Sequence, residues 1–418
     1  MNYAFLPDLS ALAILIVILA LVRRSHNEER ANAWLLGLLF TLIEAVAHTF
    51  YASAGMPNKV LHVIVLDCYL LAGLVFLWAA GDPRIARSTR LLYLALNGLP
   101  LFLLETTYGL NLRFAHVYVP AIVLGLVLGV SSAIVLRRSW RYALLSLAGW
   151  AGIAAMVANG RFRPAVYWSL ACVYAIAALG FYRRLERRST GRLAIVTGFS
   201  IWSLCFLLHP WVVNYGSFAD IASHVWNMQK SLISIGMILV MLEEQVSNNE
   251  WLALHDELTG LPNRRLFGSK LSFAIEHCNR RGTSLALVVL DLNGFKQIND
   301  SMGHVAGDQV LREVAGLLRK SVRATDTVAR LGGDEFTIVA TDMANEHTVE
   351  RFVESIRIAV ERPILVNGQA MSLTASMGSA MYPNDAKDST KLMRVADQRM
   401  YFLKKRPVQP AQIAVGQA

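Results

Sequence analysis

The sequence predicts a multi-pass α-helical membrane domain followed by an α/β sandwich with a mainly antiparallel sheet. Three observations predict it. Apolar residues make up 55% of the 418 and crowd positions 1 to about 244. Short arginine clusters punctuate that half at alternate connections. Beyond it the composition becomes ordinary for a soluble protein, and apolar runs of strand length alternate with amphipathic stretches. A chain of this length has room for two or three domains. The expected division is a membrane sensor or anchor over 1–244, a linker helix over 245–258, an α/β domain over 259–405 and a tail over 406–418.

Nine apolar stretches are read in the first half, roughly 8–22, 31–51, 61–80, 91–108, 116–136, 142–159, 164–182, 193–213 and 226–244. Most approach the 20 or so residues that a helix needs to cross the hydrocarbon. The first is followed by further apolar runs, so it reads as a spanning helix and not as a cleaved leader. Alternate connections hold Arg23, Arg24 and Arg30; Arg84, Arg87 and Arg90; Arg137, Arg138 and Arg141; and Arg183, Arg184, Arg187, Arg188 and Arg192. The intervening ones hold Lys59, Arg113, Arg161 and Arg163. Fourteen basic residues against four place the rich connections in the cytoplasm. The N-terminus is then outside, and nine crossings put the second domain inside. Lys230 is expected to snorkel from the last helix to the interface. Glu44, Asp67 and Glu105 are costly in lipid and should face the protein interior. His48, His62, His116 and His209 lie in or near the spans, where they serve as polar groups at helix ends and contacts or, as a rarer alternative, as ligands of a haem or metal.

The net charge of +10 is accounted for by these orienting arginines, so no nucleic-acid partner is implied. The four cysteines, Cys68, Cys172, Cys205 and Cys278, form no CxxC pair, and three lie in apolar runs. Neither a disulfide framework nor a zinc site is suggested.

Glu243 to Leu254 reads as a helix continuing the last span, and Gly260 and Pro262 punctuate the start of the next domain. Thr283–Asn293 reads as a buried strand ending in a carboxylate. Ala306–Val322 is helical by its apolar spacing. Thr327–Ala340 reads as two short strands around Gly332 and Gly333, a pair that suits a tight turn with positive φ. "TVERFVESIRIAV" is helical, Met371–Tyr382 alternates as a strand, and Thr390–Lys405 is a final helix. No GxGxxG follows a first strand, which excludes a Rossmann fold.

Asp291 ends one predicted strand, and Asp334 and Glu335 follow the hairpin turn. If the strands are neighbours, these carboxylates converge at one sheet edge. They would then repel and lose hydration, which makes a hard divalent cation their natural partner. Magnesium would leave ligand positions for phosphate oxygens. Gly332 and Gly333 allow close approach of a polyphosphate. A plain surface turn is the competing reading of this heptapeptide alone.

The region from about 250 to 405 resembles the GGDEF domain, the catalytic domain of membrane-anchored diguanylate cyclases. The motifs that carry the resemblance are "DELTGLPNRR" (256–265), "DLNGFKQINDSMGHVAGD" (291–308), "RLGGDEF" (330–336), "YPNDA" (382–386) and "ADQRMY" (396–401), in the family's order and spacing. The resemblance implies a nucleotide-cyclase-like fold and condensation of two GTP to cyclic di-GMP with loss of two pyrophosphates. It implies Mg2+ or Mn2+ held by Asp291, the Leu292 carbonyl, Asp334 and Glu335. Asp334 and Glu335 become the catalytic carboxylates. Asn299 and Asp308 become readers of the guanine edge. Gly332 and Gly333 line the phosphate turn, and Lys296 and Lys404 neutralise phosphate charge. "RATD" resembles the family's inhibitory site, with Arg323 and Asp326 gripping cyclic di-GMP. A homodimer is implied, since each domain holds one GTP.

Departures are Asn293, where a second Asp is common, and the tail "KKRPVQP", which has Val408 where a phosphate-contacting arginine is expected. The expected location is the bacterial inner membrane, with the catalytic domain cytoplasmic and a sensory ligand acting on the membrane half. The alternatives are a catalytically silent receptor for cyclic di-GMP or GTP and, more remotely, a transporter fused to a regulatory domain.

Overall fold

The computed structural model describes residues 6–23, 29–50, 56–137, 139–212, 216–366 and 368–405. Val408 and Arg406, part of the departing tail, lie outside the described residues. The chain divides into two compact units, Met1–Val246 and Ser247–Ala418.

The first unit is helical. It contains α1 (Leu6–Arg23), α2 (Glu29–Thr49), α3 (Met56–Ala80), α4 (Arg87–Gly109), α5 (Val119–Val135), α6 (Trp140–Ala158), α7 (Phe162–Arg184), α8 (Thr190–Val212) and most of α9 (Gly216–Leu254). Among the described residues eight helical spans, Leu6–Arg23 through Thr190–Val212, are long and apolar enough to cross a membrane, and each overlaps a predicted run. The ninth predicted run lies in α9 but outside that set. The run carries Lys230 and ends on Glu243 and Glu244.

The interior of this unit is where sequence reasoning about Lys230 fails. Lys230 does not snorkel. Its side chain is 4% exposed and its Nζ lies 2.6 Å from Oε2 of Glu44, itself 2% exposed. Unpaired, either charge would be expensive in an apolar bundle; paired, each satisfies the other. Glu44 and Glu105 face the interior as expected, and Asp67 accepts a hydrogen bond from Thr106 Oγ1 at 3.1 Å. His62, His116 and His209 pack against the rings of Tyr108, Phe114 and Tyr167.

The second unit contains α10 (Arg264–Arg281), β1 (Leu285–Asn293), α11 (Phe295–Met302), α12 (His304–Ser321), β2 (Thr327–Gly332), β3 (Glu335–Thr341), α13 (Glu346–Val360), β4 (Ile364–Val366), β5 (Gln369–Met371), β6 (Thr374–Tyr382) and α14 (Ser389–Lys404). Four strands form one sheet in the order β2-β3-β1-β6, and every neighbouring pair is antiparallel. The sequence reading missed α11 and the small β4–β5 hairpin.

Central strand β1 explains the layering. Side chains alternate faces along a strand. Val288, Leu290 and Leu292 join a core with α11, α12 and α13. Leu285, Leu287 and Val289 join a second core with α10 and α14. Both faces are covered, so the strand reads as a continuous apolar run. Asp291 is the next member of the α14-facing row.

Helix α14 lies directly on β6. A Cβ on Gly378 would come within 2.1 Å of the Ala396 carbonyl oxygen and 2.2 Å of the Met400 nitrogen. At the sheet edge Arg399 fixes the same helix, donating to Ser379 O at 2.7 Å and to both oxygens of Asp385. The two tail motifs are thereby joined.

Gly378→Ala should push α14 off the sheet, because backbone atoms cannot yield as a side chain would. We expect a loss of about 2–3 kcal/mol in denaturant unfolding. Wild-type stability would show that the helix can slide without cost.

Candidate active site

The β2–β3 turn puts carboxylates at the edge that Asp291 occupies. Gly332 (φ +146°) and Gly333 (φ +52°) hold backbone conformations that side chains resist, which is why the turn carries glycine. Residues Gly333 and Asp334 form the tip, and pairing resumes at Glu335. Glu335 stands directly opposite Asp291 across the β1–β3 pair, so both side chains share a face. The Leu292 amide donates to the Asp334 carbonyl at 3.3 Å. Asp291, Leu292, Asp334 and Glu335 are thus brought together by strand register.

A cation already stands among them. Lys404, in the last turn of α14, hydrogen-bonds Asp291 Oδ2 at 2.8 Å and lies 2.7 Å from Oδ1. Hydrogen bonding to Asp291, with the further charges of Asp291, Asp334 and Glu335, raises the lysine above its ordinary range. Partial burial, then the Asp291 charge, raises the Asp334 carboxyl above the usual aspartate range. The sign of that shift is informative. An ionised Asp334 detracts from folding even with Lys404 nearby, and stability falls as pH rises through the raised value. Among the described residues, no group of three or more His, Cys, Asp or Glu is arranged as a metal cage. Of these carboxylates Asp291 is the one that pairs with the Lys404 ammonium.

The turn is held from behind by residues that the sequence reading did not single out. Arg330 Nε and Nη2 donate to the Gly333 carbonyl at 2.9 and 2.7 Å. Arg330 Nη1 lies 2.9 Å from both oxygens of Asp256. Asp256 also accepts from the Thr259 amide and hydroxyl. Burial opposes its charge, but the hydrogen bonds from Thr259 and Arg330 outweigh that and hold its carboxyl below the usual range. The same loop is tied to the end of α9, where the Asn263 amide donates to Leu254 O and its side chain to Ala253 O. The Arg330 amide donates to Pro262 O. The D-x-x-T spacing at 256–259 is a legible turn signal; its partner 74 residues on is not.

The remaining predicted residues fall in three places. Lys296 is exposed in the first turn of α11, which follows β1 through Gly294. Asn299 lies later in α11 and Asp308 early in α12, with Gly303 (φ +83°) between the two helices. Arg323 and Asp326 sit at the other end of the hairpin, about 20 Å from the turn by strand rise. Asp326 ties the turn to β3. Its Oδ2 accepts from the Arg323 amide and its Oδ1 from the Thr341 amide. The Arg323 side chain is exposed. Asn293 bonds across to Thr374 and Ser376 of β6, which gives it a place in the sheet without a charge.

Residues 253–409 match the family described as "Diguanylate cyclase, GGDEF domain". The diguanylate cyclase TpbB of Pseudomonas aeruginosa is 38% identical over 165 residues, 39% of this chain and 38% of that protein. The Escherichia coli diguanylate cyclase DosC is 39% identical over 181 residues, 43% of this chain and 38% of the relative. The P. aeruginosa cyclic di-GMP phosphodiesterase NbdA is 36% identical over 162 residues, 39% of this chain and 21% of its own length. The chain therefore spans well under half the length of these curated relatives. Among solved structures, the isolated GGDEF domain of TpbB is similar at 38% identity with a TM-score of 0.36, covering 37% of this chain and 90% of that one.

Arg330→Lys should lower stability by about 2 kcal/mol, since one ammonium cannot hold both Asp256 and the Gly333 carbonyl. Asp256 is depressed, so its contribution is present at neutral pH and lost as pH falls through the lowered value. Unfolding curves of wild type and variant should therefore converge in acid. A gap that persists there would mean that the pair does not carry the effect.

Proposed function

The chain belongs to the GGDEF family through its second unit, and from that premise we propose that it is a membrane-bound diguanylate cyclase condensing two GTP to cyclic di-GMP. The observation that carries this reading is the convergence of Asp291, Asp334 and Glu335 beside a bare glycine turn. A phosphate-rich, metal-bearing substrate fits such an edge, and nothing about the sheet itself requires the charges.

The residues fit a hard divalent cation. Asp291, Asp334, Glu335 and the Leu292 carbonyl supply oxygen donors, and the Lys404 ammonium already sits against Asp291. Bound Mg2+ or Mn2+ would neutralise charge on the α-phosphate and the departing pyrophosphate. The chain's own groups do the rest. Gly332 and Gly333 admit the triphosphate to the backbone. Lys404 turns from Asp291 to phosphate oxygens, and Lys296 adds a second positive charge. Asn299 and Asp308 hold the guanine edge. The 3′-oxygen of one GTP forms a bond to the α-phosphorus of the other, the bond to pyrophosphate breaks, and the hydroxyl proton passes to the Asp334 or Glu335 carboxylate. A second such step closes the ring. Each domain holds one GTP, so two copies of the chain must face each other. Eight apolar helices and α9 anchor the enzyme, with the arginine-rich connections and the second unit on the cytoplasmic side.

Asp334→Asn and Glu335→Gln should each lower cyclic di-GMP synthesis at least ~10²-fold with little change in unfolding temperature. Mass analysis of the products formed from GTP and Mg2+ tests this. Both variants at wild-type rates would sink the assignment. A wild type that binds cyclic di-GMP or GTP without turnover would favour the silent receptor.

Arg323→Ala should relieve product inhibition and keep the basal rate. The exposed guanidinium stands away from the carboxylates, and the turn that carries it is held by Asp326, so the arginine is the residue to change. Loss of an ionic hydrogen bond predicts roughly tenfold weaker cyclic di-GMP binding and a progress curve that no longer bends early. Unchanged curves and unchanged affinity would make "RATD" a structural turn only.

A further inference from the structure

We infer that Gly307 is a specificity-positioning residue whose missing side chain leaves the space that the Asn299 amide needs to read guanine. The inference rests on the guanine-binding role proposed above for Asn299 and Asp308, and it concerns why a glycine precedes Asp308.

Gly307 lies in the first turns of α12 and is buried. Its backbone is ordinary helix, without the positive φ that explains Gly303. Glycine is a poor helix former, so the position calls for another explanation. The surroundings supply one. A Cβ at 307 would lie 1.9 Å from Asn299 Oδ1, 3.0 Å from its Cγ and 3.2 Å from Phe295 Cζ. The first distance is far inside any real contact. The Asn299 amide therefore occupies the volume that a side chain at 307 would fill.

The backbone around it is fixed independently. The Asn299 carbonyl accepts from the Gly303 amide at 3.0 Å, and the Gly303 carbonyl accepts from Ala306 and Gly307 at 3.1 and 3.3 Å. The crossing from α11 to α12 is thus set by main-chain bonds. An alanine at 307 would meet only the far end of one flexible side chain and a ring edge. The helix could take it; the amide could not stay where it is. The amide would swing out of its present place, and a base edge that needs both it and Asp308 would lose one of them.

Gly316 provides an internal control. It lies in the same helix, and nothing stands within 4 Å of its Cβ position. Alanine there changes helix propensity and nothing else.

The test uses the full-length chain in nanodiscs with Mg2+. The ligands are 3′-deoxy-GTP and 3′-deoxy-ATP, which lack the attacking hydroxyl and so report binding without turnover. Gly307→Ala should unfold at or above the wild-type temperature. It should bind 3′-deoxy-GTP roughly tenfold more weakly, with the preference over 3′-deoxy-ATP reduced by the same factor. Gly316→Ala should bind as wild type. In an Asn299→Ala background, Gly307→Ala should have no further effect, because its target is gone. Wild-type affinity and preference in Gly307→Ala would overturn the inference. So would full additivity with Asn299→Ala, or a lowered unfolding temperature that accounts for the loss. A wild type with no preference for guanine would instead fail the parent reading, and is told apart because it appears before any substitution.

Discussion

Negative charge gathered at one end of the sheet is the constraint on which the second unit depends. Asp291 is almost fully buried, Glu335 faces it across the strand pair, and Asp334 sits at the turn between. Partial burial, and after it the Asp291 charge, raises the Asp334 carboxyl above the usual range. An antiparallel sheet gains nothing from such an arrangement, so the charges must be met by something positive. Lys404 is placed there against Asp291, and its presence explains why α14 must be held so firmly against β6.

The same constraint organises what lies behind the turn. A glycine pair takes the positive φ that the turn needs but is soft. Arg330 compensates by gripping the Gly333 carbonyl and anchoring to Asp256, whose loop closes on the last residues of α9. The stiffness of the turn is thus supplied from outside the sheet. At the opposite end of the hairpin Asp326 spans the two strands, which leaves Arg323 free to present its charge on a rigid turn. The two ends differ, one gathering the carboxylates of Asp291, Asp334 and Glu335, the other presenting the exposed Arg323 side chain.

Much of this was legible in the sequence, for identifiable reasons. A strand covered on both faces reads as an unbroken apolar run, so β1 and its terminal carboxylate were plain. Two consecutive glycines between strand-forming residues marked the hairpin. Hydropathy gave nine apolar runs, of which eight coincide with helices long and apolar enough to span, and the antiparallel α/β sandwich followed from the order of elements and the family resemblance. What escaped was short or long-range. Helix α11 has eight residues and buries only Phe295 and Ile298, too few to show a period. Strands β4 and β5 have three residues each. The placement of Lys230 failed because hydropathy sees its own helix and not Glu44, 186 residues away. Arg330 and Asp256 were hidden in the same way. Each stood within a quoted motif, and the fold sets it opposite the other.

The most direct measurement is the affinity of the full-length chain for 3′-deoxy-GTP with and without Mg2+, by calorimetry in nanodiscs. If the carboxylate edge exists to hold a cation that carries the triphosphate, nucleotide binding should strengthen at least roughly tenfold when the metal is present. The gain should vanish in Asp291→Asn. Equal affinity in metal and in chelator would contradict it, and would leave the gathered charges without a purpose.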